Sequence, residues 1–151
     1  MRVVIQRVTN AKVEIEDNMH SEIGKGLMIL AGFENNDTQD DIDWICKKIN
    51  QLRIFNDNNG VMNISFSEIN DVELLVVSQF TLHAKVKKGN RPSYIHAAKP
   101  EISVPLYEKF IKTLKNITQK PVKTGKFGAN MQVSLTNDGP VTIVIDTKNK
   151  E

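Results

Sequence analysis

The chain of 151 residues holds one cysteine, Cys46, so it can form no intrachain disulfide. A small scaffold stapled by disulfides is excluded. Cys46 falls on an apolar helical stripe, and we expect a buried thiol in a reducing compartment, with the cytoplasm as the simplest address. Long apolar runs are also missing. None approaches the roughly 20 residues that a membrane-spanning helix needs. The first residues, Arg2-Val3-Val4-Ile5-Gln6-Arg7, alternate like a strand, so no signal peptide is expected there. Histidine and cysteine show no zinc-ligand spacing, and neither a glycine-rich phosphate loop nor a Gly-x-Ser-x-Gly elbow occurs. The acidic residues gather at a predicted helix start, where the helix dipole accounts for them. A metal enzyme or nucleotide hydrolase is not expected, and nothing implies a cofactor.

What remains is ordinary for a globular protein: 40% hydrophobic and 25% charged residues. The length predicts one domain over 1–151. A net charge of +2 does not by itself indicate nucleic acid, but its distribution is uneven. Lys85, Lys87, Lys88 and Arg91 form one cluster, and Lys120, Lys123 and Lys126 another. Such clusters suit a phosphate backbone, and they equally suit two solvated basic loops.

Periodicity predicts many strands and two helices. Val3 to Val8 and Val13 to Ile15 alternate, and Asp17-Asn18 marks a turn into a return strand ending at Ile23-Gly24. Gly26 to Gly32 holds a nearly unbroken apolar run, as in a strand buried on both faces. Asp37 or Thr38 can cap a helix whose stripe is Ile42, Ile45, Cys46, Ile49 and Leu52. Strand-like Arg53-Ile54-Phe55 leads to the turn Asn58-Asn59-Gly60. Val72 to Leu82 reads as one strand, and Gly89 to Pro100 as irregular. A second helix is expected from Ser103, with Pro105 in its first turn and Leu106, Phe110 and Leu114 on its apolar face. Met131 to Leu135 and Val141 to Ile145 read as a hairpin around Asn137-Asp138-Gly139-Pro140. The fold class is a mixed, β-rich α/β domain.

Two segments depart from plain core strands: Val76-Val77-Ser78-Gln79-Phe80-Thr81-Leu82, and Asn137-Asp138-Gly139-Pro140-Val141-Thr142. On a strand, Gln79, Thr81 and His83 would share one face, which permits a Thr81 nucleophile with His83 as base. Their spacing of roughly 6–7 Å, from a rise of about 3.3 Å per residue, weighs against that pair. Asn-Asp-Gly-Pro taken alone reads as an ordinary hairpin turn. His20 and His96 fall in turn or loop segments and are expected to be exposed.

Together the two segments resemble the signature motifs of the D-aminoacyl-tRNA deacylases. Met1 to Val8, Gly26-Leu27-Met28, Leu52-Arg53-Ile54-Phe55, Gly89-Asn90-Arg91-Pro92-Ser93 and Gly125-Lys126-Phe127-Gly128-Ala129 also resemble that family, in its order. The resemblance implies layered, barrel-like antiparallel and mixed sheets with two helices on one side. It implies hydrolysis of D-aminoacyl-tRNA and of mischarged glycyl-tRNA by a homodimer with active sites at the subunit interface. Ser78, Gln79, Phe80 and Thr81 would line the pocket for the terminal adenosine and its ester. A main-chain N–H near Thr81 would stabilise the oxyanion, and the substrate's 2′-hydroxyl would assist. A cis Gly139-Pro140 bond would present two carbonyl oxygens to the partner's site and exclude L-amino acids, with Arg7 fixing that loop. Phe127, Gly128, Ala129 and Met131 resemble a further segment near the pocket. Asn90 to Ser93 would lie near the substrate or support the fold.

Three readings therefore compete: this deacylase, a general esterase using Thr81 and His83, and a non-catalytic module that binds the tRNA end. One departure stands out. The family leads us to expect an aromatic or other apolar residue after Leu82, and here it is His83.

Overall fold

A computed structural model describes all residues 1–151. Strand β1 (Arg2–Ile15) organises the sheet. Its first half pairs antiparallel with β3 (Gly26–Gly32) and its second half with β2 (Asn18–Ile23). Strand β8 (Gln132–Asp146) runs antiparallel to almost all of β1, and so occupies the opposite edge. Beyond β3, β6 (Glu73–Ser78) and β7 (Val122–Thr124) add in parallel. The Ser21 hydroxyl donates to the Thr124 carbonyl at 2.9 Å, and Lys123 donates to the Glu22 carbonyl at 2.6 Å. These bonds join β2 to β7, so the curved sheet nearly closes into a barrel.

Parallel neighbours need crossovers, and the two helices supply them. Helix α1 (Gln39–Gln51) lies between β3 and β6, with the short antiparallel pair β4 (Phe55–Asn56) and β5 (Met62–Ile64). Helix α2 (Pro100–Thr118) lies between β6 and β7. Both pack on one face of the sheet. Ile42, Ile45 and Ile49 of α1 and Phe110 and Leu114 of α2 share a core with Val3, Ile5, Leu27, Ile29, Leu74 and Val76. The alternate residues Met28, Leu75 and Val77 face the barrel interior with Val8, Val13 and Ile23. This two-faced burial explains the continuous apolar run in β3. Gly26 is required there, because a Cβ would stand 1.9 Å from the Glu73 carbonyl oxygen. No helix is long and apolar enough to cross a membrane.

Several predicted elements fall in place. Thr38 caps α1 through a reciprocal capping box with Asp41, and Gly60 adopts φ +79° in its turn. Cys46 is fully buried, and that burial, with Asp43 nearby, pushes its thiol far above the usual range. Asp37 has another role. Its buried carboxylate takes the α-ammonium of Met1 at 2.5 Å, and the same ammonium donates to the Thr147 hydroxyl at 2.8 Å. The first turn sits at Glu16 and Asp17, both with positive φ, one residue ahead of expectation. His20 is exposed as expected, though it lies on β2.

Three expectations are corrected. The strand predicted over Val72 to Leu82 stops at Ser78 and gives way to a 3₁₀ turn at Phe80–His83. Helix α2 begins at Pro100, with Lys99 at the N-cap position and no side-chain capping bond. Proline has no N–H to satisfy and presets φ at the first helical position, so it outcompetes Ser103 as the start. Ser103 donates instead to the Lys99 carbonyl at 3.0 Å, and Pro105 lies in the helix interior. The predicted hairpin is the largest error, because residues 132–146 form one continuous strand. Gln6 faces Thr142 and Val8 faces Asn137, so Asp138 to Val141 bulge out opposite Arg7 alone.

Arg7 is 5% exposed and holds the bulge from beneath. Its Nε donates to the Asp138 carbonyl at 3.1 Å and lies 3.1 Å from the Asp138 carboxylate. Its Nη1 donates to the Ile54 carbonyl at 2.6 Å and to Asn56 Oδ1 at 3.1 Å. Arg7→Ala strands these acceptors and should cost about 3–5 kcal/mol in urea unfolding. Arg7→Lys, keeping charge without the fork, should fall between that variant and wild type.

Stability should also fall in acid. Burial tends to raise Asp41 and Asp146, but hydrogen bonds outweigh it and hold both carboxyls below the ordinary range. For Asp41 the donors are Lys148, the Thr38 N–H and the Thr147 and Thr38 hydroxyls; for Asp146 they are Arg2 and the Lys148 N–H. Folded values below unfolded ones give stabilisation that is complete above about 3.9 and lost as pH falls through the folded values. The thermal midpoint should drop between about pH 5 and about pH 2, and Asp146→Asn should start lower and decline less steeply.

Candidate active site

The end of β6 builds the site. Gln79 continues the parallel pairing by donating its N–H to the Ala31 carbonyl at 2.8 Å. The chain then tightens into the 3₁₀ turn, which Gln79 precedes with no side-chain capping bond. The opening N–H groups of such a turn, those of Phe80 and Thr81, have no partner within it. Gln79 instead donates its side-chain amide to the Thr81 hydroxyl at 2.6 Å. The far end of the turn is tied down. Arg2 donates to the Leu82 carbonyl at 3.0 Å and pairs with Asp146.

His83 does not meet Thr81. It is buried at 2% exposure, with Nδ1 3.3 Å from a Glu34 carboxylate oxygen, and neither ring nitrogen completes a hydrogen bond. The geometry assumed for a Thr81–His83 dyad belonged to a strand, and the turn removes it. His83 is also not a residue at a solvent-facing strand end, since it lies buried in the turn. His96 is exposed, as expected.

A cavity of about 570 Å³ opens beside this turn. Ser78, Gln79 and Phe80 form one wall, and Phe127, Ala129 and Met131 another. Ser78, Gln79, Phe80, Phe127, Gly128, Ala129 and Met131, all singled out from sequence, thus meet at one cavity. Ala31 and Gly32 form its floor from the end of β3, and the aromatic rings of Phe33 and Tyr94 complete it. Tyr94 packs edge-on against Phe80 with centroids 5.0 Å apart, and Phe127 packs on Tyr107 at 5.6 Å. Tyr107 is fixed in turn by donating to the Val76 carbonyl at 2.9 Å. The lining is largely apolar with a few polar groups at one end, as small-ligand sites are.

Thr81 does not line the cavity; its side chain is turned to Gln79. Arg7, Gly139 and Pro140 are not in the lining either. The Gly139–Pro140 bond is cis, Gly139 has φ +125°, and both residues are exposed. A Cβ on Gly139 would stand 3.2 Å from Arg7 Nη2 and 3.3 Å from the Val141 nitrogen. The two motifs therefore occupy separate places within the chain. Sequence reasoning missed Phe33 and Tyr94. Tyr94 directly follows the Asn90 to Ser93 segment, and that adjacency was the available signal.

The model of the family described as D-Tyr-tRNA(Tyr) deacylase matches residues 4–146. A protein of Bacteroides fragilis (strain YCH46) named D-aminoacyl-tRNA deacylase is 65% identical over 151 residues, spanning all of both chains. One of the same name from Flavobacterium johnsoniae is 56% identical over the same span. Among solved structures, the c-Myc DNA Unwinding Element Binding Protein superposes with a TM-score of 0.90 at 40% identity, covering 97% of this chain and 98% of that one. A probable eukaryotic D-amino acid tRNA deacylase shares the fold, with a TM-score of 0.82 at 18% identity over 95% and 97% of the chains. By the extent of that family match and the identity to full-length relatives, the chain belongs to the D-Tyr-tRNA(Tyr) deacylase family.

Proposed function

We propose that this protein hydrolyses the ester linking a D-amino acid to tRNA, releasing the free D-amino acid and tRNA. The observation that carries the reading is the cavity bordered by Ser78, Gln79 and Phe80, beside a 3₁₀ turn whose opening N–H groups have no side-chain cap and no partner within the turn. An aminoacyl ester is already activated. One donor aimed at the developing oxyanion is worth about 2.7–4 kcal/mol at the transition state. The N–H groups of Phe80 and Thr81 take this role, and the 2′-hydroxyl of the terminal ribose assists. No protein nucleophile is required. That fits a Thr81 hydroxyl held by Gln79 and a His83 ring turned toward Glu34.

Gly139-Pro140 acts as the chiral selector, and it acts in the partner of a homodimer. Both residues are exposed and lie outside their own cavity, while a buried arginine fixes the loop from beneath. Two copies exchanging these loops would place main-chain carbonyls against the substrate's α-carbon in each site. Such a filter is blind to side-chain identity. It accepts many D-amino acids and also glycine, and it excludes the L-side chain sterically. Rejection by about 10⁴ needs roughly 5.5 kcal/mol of differential transition-state binding, which a rigid main chain can supply. The role is proofreading during translation, in the cytoplasm where aminoacyl-tRNA is used.

The deciding experiment compares hydrolysis of matched D-Tyr-tRNA and L-Tyr-tRNA by the purified protein with EDTA present. Release from the D-ester alone is expected. Equal release from both would establish a general esterase, and binding without release would establish a non-catalytic module. Thr81→Ala should keep D-ester hydrolysis within about tenfold of wild type, since the main-chain donor survives, whereas loss of a true nucleophile costs far more. Gly139→Ala should lower that hydrolysis by at least about tenfold, because a side chain is strained at its φ of +125° and a Cβ would crowd Arg7 and Val141.

A further inference from the structure

The charges of this chain are sorted by segment. Residues 74–137 hold eleven lysines and arginines against two carboxylates, Glu101 and Glu108, although the whole chain carries only +2. The remaining segments are therefore net acidic, with Asp40, Asp41 and Asp43 together at the start of α1. The basic segment is the one that builds most of the cavity. Within it, residues 85–92 leave the 3₁₀ turn as an exposed loop. The loop is closed at its base by reciprocal main-chain hydrogen bonds between Lys85 and Ser93, at 2.8 and 3.0 Å.

Both ends of this loop are cavity wall. Phe80 lies before it and Tyr94 after it, and the two rings touch across the mouth. The loop itself carries Lys85, Lys87, Lys88 and Arg91, all exposed, and none of them joins any ion pair of the protein. Val86 stands among them at 68% exposure, and Ile95, just past the loop's base, is exposed at 76%. Structural use would bury or pair these groups. Unpaired cations beside exposed apolar and aromatic surface are what single-stranded nucleic acid recognition requires: charge for the backbone and flat or apolar contacts for the bases.

We infer that the 85–92 loop is the docking arm for the single-stranded 3′ end of tRNA, holding the phosphates that precede the terminal adenosine as that nucleotide enters the cavity. This rests on the proposed function and adds the surface by which the substrate's tail is held. Binding through phosphates is independent of tRNA identity, which suits a selector that ignores side chains.

The test measures binding of uncharged RNA, so it does not depend on hydrolysis. An acceptor-stem minihelix ending in the four unpaired 3′ nucleotides is compared with the same minihelix lacking them. The proteins are wild type, the triple variant Lys87→Ala/Lys88→Ala/Arg91→Ala, and the control Lys47→Ala/Lys48→Ala on α1. Wild type and control should bind the tailed RNA at least about tenfold tighter than the blunt one. The triple variant should lose most of that difference, and its slope of log Kd against log salt should be shallower by about two, for three single-strand phosphate contacts. A triple variant that prefers the tail as strongly as wild type overturns the inference. So does a control that loses the preference equally, or a wild type displaced from the tailed RNA by polyglutamate at equal charge, which would identify an acidic polypeptide as the partner. Failure of the proposed activity would show separately, as absence of D-ester release by a wild type that still prefers the tail.

Discussion

A buried arginine on the central strand governs the architecture around the second motif. Arg7 sits where alternation would place an aliphatic side chain, between the two core clusters and opposite the segment where β8 bulges out between Asn137 and Thr142. A guanidinium is costly to bury and must be matched by acceptors from several directions. Here they come from Ile54 and Asn56 on one side and Asp138 on the other. The β4 segment and the Gly139-Pro140 bulge are thus fastened to each other through one side chain. The bulge is held to the sheet while its outward face remains exposed.

The other half of the site depends on how β6 ends. Parallel pairing with β3 carries the chain as far as Gln79, and Gly26 allows the close approach at the start of that pairing. Past that point β3 has finished at Gly32, and the His83 ring packs against Gly32 itself, where a Cβ would meet it at 3.1 Å. With no neighbour to pair, the backbone turns into 3₁₀ geometry at Phe80–His83, beside the cavity that Ser78, Gln79 and Phe80 border. Helix α2 then supports the cavity from behind through Tyr107 and Phe127. Burial alone raises the Tyr107 hydroxyl far above its ordinary value, so it serves as a neutral donor.

Legibility in the sequence follows the range of the forces involved. Helix α1 was readable because its cap, dipole charges and apolar stripe all lie within a few turns. The same holds for β3 and the Asn58-Asn59-Gly60 turn. The errors arose where a distant partner decided the outcome. Asn-Asp-Gly-Pro has local hairpin chemistry, yet β1 holds both flanking segments in one ladder and the tetrapeptide becomes a bulge. Val72 to Leu82 has strand propensity throughout, yet the strand ends where its neighbour does. Ser103 has capping chemistry, but Pro100 was already better suited to the first helical position. Of the site residues, those on the two cavity walls were legible through their motifs, whereas Phe33 and Tyr94 belong to no periodic pattern and reach the cavity only through the fold.

The sequence by itself determined the family, the β-rich class with two helices, the buried thiol and the identity of both motifs. Composition, period and local turn chemistry act over a few residues and survive without knowledge of the fold. Tertiary structure alone decided that His83 is buried beside Glu34, that Thr81 answers to Gln79, and that the two motifs stand apart in the folded chain. Each of those outcomes depends on pairing and burial between segments far apart in the chain, and no local pattern encodes which distant group will be the neighbour.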